Sequence, residues 1–350
     1  MHHCSSGVSV DFHYLVSSLF HSPISAPLQI FGAMSDPEAL IDGLVGAGGG
    51  FIAQLVTYPL QTVNTRQQIE RDRNVRRKFG ALEQMYHIVE QEGWERLYGG
   101  FAPSLVGIVT SEGVHNYFYQ KFRNKAETTA LAGCVSALLT NPISLVVTRM
   151  QTHTKKNQLN HTDLLSPEDV IPSEDEPPPF GINLAIQEVY GERGVLGFWR
   201  GALPTLIMVT KPSIQFMLYE PLLKELKKRK RLSSDKHNRD ATSLEIFLLE
   251  TLANLGATVM TYPLLVIKSR LQAKQTVEVE RHRYKGTVDA IDKMIRYEGW
   301  YGFYKGLSTK IAQSVLAAAL PFLLKEKLVQ GVQWVLLKAG ILFFKFIWSL

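Results

Sequence analysis

Apolar and polar positions alternate along this chain in long blocks, not in the every-second-residue rhythm of strands. An apolar stretch covers about 37–64, a short amphipathic segment about 81–91 and a second apolar stretch about 101–123. The same plan returns twice more. It predicts two long helices and one short surface helix per unit, six long helices in all. The first stretch carries Gly43, Gly46 and Gly48 to Gly50, a small-residue face suited to close helix contact. Residues 153–179, rich in Pro and acids, and 227–240, basic and polar, read as solvated loops.

Two linked motifs mark each unit. The first is Thr57-Tyr58-Pro59-Leu60 with Arg66 and Gln68, then Thr140-Asn141-Pro142-Ile143 with Arg149 and Gln151, then Thr261-Tyr262-Pro263-Leu264 with Arg270 and Gln272. The second runs from Glu92-Gly93-Trp94 to Tyr98-Gly99-Gly100, from Arg193-Gly194-Val195 to Trp199-Arg200-Gly201, and from Glu298-Gly299-Trp300 to Tyr304-Lys305-Gly306. Gly93, Gly194 and Gly299 lie 101 and then 105 residues apart. Three copies of a linked pair predict three alike units around a pseudo-threefold axis. A Pro in mid-helix removes one backbone hydrogen bond and crowds another, so each unit gains a kink at the same level.

Composition narrows the class. The chain of 350 residues is 45% hydrophobic and 20% charged, and no window holds 20 uninterrupted apolar residues. Helices that keep one polar stripe toward a wet interior have this mixture. A net charge of +6 fits an anionic partner and fits a solvated basic surface equally well. Cys4 and Cys134 form no disulfide framework, and His87, His115 and His153 show no ligand spacing, so no metal is assigned. Residues 1–33 contain no Lys or Arg and read as a disordered extension ahead of Met34, without the flanks of a targeting segment. The glycines at 46 and 48 fail as a dinucleotide fingerprint, because Phe51 stands where a third Gly belongs and no strand precedes them. With no nucleophile–base constellation either, an enzyme is not expected.

These motifs resemble those of the mitochondrial carrier family over about residues 36–330. The resemblance implies an all-α membrane protein of six transmembrane helices in three tandem repeats: 34–124, 125–229 with a shortened first helix, and 242–330. Residues 230–241 are the linker and 331–350 an apolar tail, read either as an interfacial helix or as a change in reading frame or splicing. It further implies an antiporter of nucleotide-type metabolites by alternating access, without a cofactor. The strings 39–71, 205–228 and 257–274 are most similar to members that carry NAD in exchange for AMP, ADP or coenzyme A across the peroxisomal membrane. An adenine nucleotide or coenzyme A carrier is the alternative, and the mitochondrial inner membrane the alternative place. The expected partners are the lipid bilayer and the nucleotides, with no nucleic acid and a monomeric state. From another class, a non-transporting membrane protein that keeps the carrier fold remains open.

The family closes one end with an acid two residues after each Pro and a base three further on. Here those positions hold Gln61 and Asn64, Ser144 and Val147, and Leu265 and Lys268. The resemblance therefore implies a weak gate, with Gln61 bonded to Lys268, beside Arg66, Arg149, Arg270 and the glutamines Gln68, Gln151 and Gln272. At the opposite end it implies a second gate from Tyr119, Gln120 and Arg123, from Tyr219 and Glu220, and from Glu326. Substrate contacts are expected at Gly107 and Ile108, Ile207 and Met208, and Gln313 and Ser314. Glu112, Asn116 and Ser213 lie on the same expected stripe, and Gly107-Ile108 would leave a slot for a flat adenine. From Arg123 to Pro142 only 18 residues intervene, so the third span is expected to cross the bilayer with little margin.

Overall fold

The computed structural model describes residues 37–70, 80–122, 128–153, 181–232, 242–274 and 284–348. Among the described residues every regular element is helical. The first repeat supplies α1 (Pro37–Ile69), α2 (Ala81–Glu92) and α3 (Phe101–Phe122). The second supplies α4 (Thr128–Thr152), α5 (Ile182–Arg193), α6 (Ala202–Met208) and α7 (Lys211–Leu232). The third supplies α8 (Ser243–Gln272), α9 (Thr287–Glu298) and α10 (Leu307–Trp348). Short 3₁₀ turns, Trp94–Tyr98, Gly194–Trp199 and Trp300–Tyr304, follow α2, α5 and α9.

Each surface helix stops at the Gly that the repeat predicts. Gly93, Gly194 and Gly299 have φ of 88°, 61° and 71°, a region that costs any residue with a Cβ. Pro59, Pro142 and Pro263 all lie inside long helices. Of the three helices that carry the Pro, α4 is the shortest: it starts 14 residues before Pro142, against 22 for α1 before Pro59 and 20 for α8 before Pro263. α4 has 25 residues, about 37 Å at 1.5 Å per residue, enough for a hydrocarbon core of about 30 Å. Among the described residues three segments are long and apolar enough to cross a membrane: Ala130–Thr152, Ser243–Gln272 and Trp300–Leu324.

Two features depart from the sequence reading. The second repeat's even helix is broken, with α6 ending at Met208 and α7 beginning at Lys211. Pro212 cannot donate to the ladder, and the chain turns through shorter bonds, Val209 N to Leu206 O and Thr210 N to Ile207 O. The tail also starts no new element at 331, because α10 continues without interruption to Trp348, 42 residues in all. No Pro follows Pro321 in this helix, so no ladder donor is removed beyond it.

The chain packs as two units, each described by itself. Among the described residues, one lies within 58–210 and 258–312, the other within 37–57, 211–257 and 313–348. In the first, Tyr262, Val266, Ile267 and Leu271 of α8 bury against Ala290 and Met294 of α9 and Phe303, while Val63 of α1 meets Ile88 and Leu97. In the second, Gly49 of α1 abuts Pro321 and Leu328 of α10, which an added Cβ would meet at 3.4 Å. This is the close approach that the glycine-rich face foretold.

Candidate functional site

The C-terminal halves of α1, α4 and α8 are joined by one pattern of hydrogen bonds used three times. At its centre is the Gln nine residues after each Pro. The Thr65 hydroxyl reaches Oε1 of Gln151 at 2.9 Å, that of Thr148 reaches Gln272 at 3.1 Å, and that of Ser269 reaches Gln68 at 2.5 Å. Each glutamine amide then donates to the side chain of the residue before a neighbouring Pro: Gln151 to the Tyr58 hydroxyl, Gln272 to Asn141 Oδ1 and Gln68 to the Tyr262 hydroxyl. The first repeat grips the second, the second the third, and the third the first, which closes a ring. All three glutamines are buried, so every polar atom here has to be matched within the protein.

A second layer rests on the arginines. Each Nε donates to a glutamine carbonyl of the next repeat: Arg66 to Gln151 at 3.0 Å, Arg149 to Gln272 at 2.8 Å and Arg270 to Gln68 at 2.9 Å. The terminal nitrogens of each fork grip a carboxylate of the arginine's own surface helix. Arg66 pairs with Glu92 at 2.9 and 3.1 Å, Arg149 with Glu192 at 2.7 and 2.8 Å, and Arg270 with both oxygens of Glu298. Planar bidentate pairing of this sort requires Arg. In the second repeat Arg193 occupies the place of the acid. Glu192, one residue earlier, takes the role, backed by Glu188 at 3.3 Å from Arg149. Burial pushes the Glu298 carboxyl up, but the Arg270 hydrogen bond and charge, with Lys305 beside them, hold it below the usual carboxylate range.

A third layer comes from the second motif. Arg96, Arg200 and Lys305 each donate to a backbone carbonyl past the end of the next repeat's odd helix: His153, Tyr284 and Glu70. Gly99 replaces the basic residue in the first repeat, and Arg96 supplies the charge from three positions earlier. Gly100, Gly201 and Gly306 have φ near +80°. A Cβ on Gly306 would stand 2.9 Å from Asn64 and 3.0 Å from the Tyr262 hydroxyl. The recurrence of this last Gly, after an aromatic in each repeat, was the signal that could have found it.

The gate residues expected from the resemblance separate into two groups. Asn64 donates to the Gly306 carbonyl at 2.6 Å and to Tyr262 at 3.2 Å. Lys268 has no hydrogen-bond or ion-pair partner among the described residues, so the Gln61–Lys268 link is not formed. No acid stands on the neighbouring positions to draw the ammonium across. Arg66, Arg149 and Arg270 are each paired with a carboxylate of their own surface helix, Glu92, Glu192 and Glu298.

At the other expected gate, Glu220 pairs along its own helix with Lys224 at 2.7 Å, and Tyr219 is buried. Tyr119 stacks on His115 with ring centroids 6.3 Å apart. Arg123 and the side chains of Gln120 and Glu326 lie outside the described residues.

Of the expected substrate contacts, Ile108, Glu112 and Asn116 follow one another at four-residue spacing on α3 and are partly exposed. Gly107 is different. An added Cβ would lie 3.0 Å from the Ile143 methyl of α4, so the gap expected to admit an adenine is filled by a neighbouring helix. Ile207 and Met208 end α6, with Ile207 exposed, and Ser213 is exposed in the first turn of α7. Gln313 is buried and Ser314 partly so on α10.

A ring of three repeats, each tied to the next by the same residues, defines a triple-repeat helical protein. The chain matches the family described as "Mitochondrial carrier protein" at residues 35–129, 124–230 and 240–334, and it belongs to that family. It is 56% identical over 332 residues to the peroxisomal nicotinamide adenine dinucleotide carrier of Arabidopsis thaliana, covering 86% of this chain and 98% of the relative. Peroxisomal membrane protein PMP34 of Mus musculus is 30% identical (83% of this chain, 92% of the relative). Nicotinamide adenine dinucleotide transporter 2, mitochondrial, of Arabidopsis thaliana is 24% identical (86% and 82%).

Proposed function

We propose that the chain is a six-span antiporter of the peroxisomal membrane that exchanges NAD for AMP, ADP or coenzyme A by alternating access. The observation that carries this reading is the cyclic ring of Gln68, Gln151 and Gln272. It couples the three repeats through neutral hydrogen bonds, each contributing about 1 kcal/mol. A closure of this strength seals one end yet opens when a substrate's differential binding offsets it. The identity to a peroxisomal NAD carrier supplies the substrate class and the membrane. α1, α3 and the α6–α7 pair are read as the remaining spans, less apolar because one face of each meets water. Ile108, Glu112 and Asn116, sharing a face of α3, are proposed to touch substrate.

The test is uptake of labelled NAD by liposomes containing the purified chain, with and without internal AMP. Uptake that requires internal AMP, ADP or coenzyme A supports exchange. Absence of uptake under every internal condition refutes transport and leaves a non-transporting protein of carrier fold. Adenine nucleotides moved without NAD would instead favour the narrower alternative.

A further inference from the structure

The three repeats are tied alike at the ring, but the seam between the first and the second is built differently beyond it. Along α3 and α4 three close approaches follow one another in antiparallel order. A Cβ on Gly100 would stand 3.1 Å from the Met150 Cβ, and one on Gly107 3.0 Å from an Ile143 methyl. The Ser136 hydroxyl then donates to the Ser111 carbonyl at 2.8 Å and stands 3.1 Å from the Ser111 hydroxyl. From Met150 to Ser136 this seam follows about 21 Å of α4, at 1.5 Å per residue.

The sequence supplies the reason. Gly107 and Ser111, four residues apart on α3, form a small-residue step that lets two helix backbones approach. Their counterparts are Ile207 and Lys211 in the second repeat and Gln313 and Ala317 in the third. At this same level the second repeat's even helix is interrupted, between Met208 and Lys211. Residues 123–127 alone join α3 to α4, whereas 233–242 join α7 to α8. The division of the chain into two units follows the same contrast. It falls within α1, α8 and α10 and at the α6–α7 break, while α3 and α4 each lie whole in one unit.

We infer that the α3–α4 seam stays closed throughout transport, so that the first and second repeats move as one block. This rests on the alternating-access reading above. Ser136 is buried, and parting it from Ser111 would leave its hydroxyl unmatched in an apolar span. The ring then opens on the two sides of the third repeat, where Thr148 meets Gln272 and Ser269 meets Gln68. The link between Thr65 and Gln151 lies on the fixed side and travels with the block. The passage opens to one side.

The experiment uses the full chain carrying Cys4→Ser and Cys134→Ser, which leaves it without native thiols. Two pairs are introduced separately: Ser111→Cys/Ser136→Cys on the seam and Gln68→Cys/Ser269→Cys in the ring. Side chains that already touch stand within reach of a disulfide. Uptake of labelled NAD by AMP-loaded liposomes is measured after oxidation and again after reduction. The oxidised seam pair should keep uptake within about twofold of its reduced form, and the oxidised ring pair should lose it at least about tenfold. Loss of uptake on oxidising the seam pair, reversed by reductant, overturns the inference. A second readout needs no transport: the yield of each disulfide under mild oxidation of the purified chain, with and without AMP. The seam yield should stay constant and the ring yield should fall when AMP is present. That result in a chain that moves no NAD still supports the fixed seam and defeats only the transport reading. Two yields that change together, or that both ignore AMP, remove the contrast between the seams and overturn the inference.

Discussion

Replacing Glu298 by Gln isolates the charged layer of the ring. Glu298 lies between Arg270 and Lys305, and its side chain is 8% exposed against 0% for Arg270. The amide keeps one acceptor for the guanidinium but leaves a buried cation without its counter-charge. Breaking a buried ion pair from one side costs about 3–5 kcal/mol. The retained hydrogen bond offsets about 1 kcal/mol, so about 2–4 kcal/mol remains. Glu192→Gln should cost much less, because Glu188 stands 3.3 Å from the same Arg149 nitrogen and inherits the pairing. Thermal unfolding of purified protein should place Glu298→Gln roughly 4–16 °C below wild type, at about 2–4 °C per kcal/mol, and Glu192→Gln within a few degrees. The Glu188→Gln/Glu192→Gln double variant should fall further than the two single losses combined. Should Glu192→Gln cost as much as Glu298→Gln, with Glu188→Gln adding nothing to it, the backing role of Glu188 is wrong.

The remaining expectations concern other layers of the same ring. Gly306→Ala should destabilise far more than Gly93→Ala, since both have positive φ but only Gly306 has neighbours within 4 Å; thermal unfolding of the pair decides it. Gln151→Ala removes the partner of Thr65 and Tyr58 and should raise leak of preloaded AMP from liposomes several-fold; unchanged retention would refute a latch at this point. Gly107→Ala should lower the unfolding temperature by crowding Ile143 without altering competition between nucleotides, the reverse of what an adenine slot requires. Glu298 has a folded pKa below its unfolded one. Its contribution is thus present above the unfolded value and is lost as pH falls through the folded one. Acid titration of stability should show this loss in wild type, and Glu298→Gln should flatten it.

How far the sequence revealed this molecule depended on whether a residue acts through its own helix or through a distant one. Pro59, Gly93 and their counterparts carry their meaning locally, in a missing donor or a positive φ, so the repeats and helix ends were legible from three aligned strings. The arginines were legible as conserved chemistry within the chain but not as to partner, because Arg149 pairs with Glu192 and Glu188 across 43 and 39 residues while the motif points to position 193. Gly107 misled for the same reason. A glycine on a helix declares an absent side chain, and only the approach of Ile143 from α4 says what fills the gap. Threefold likeness therefore identifies the scaffold, and departures from it are where substrate discrimination has room to reside. A substrate without threefold symmetry can be oriented only by residues that the repeats do not share.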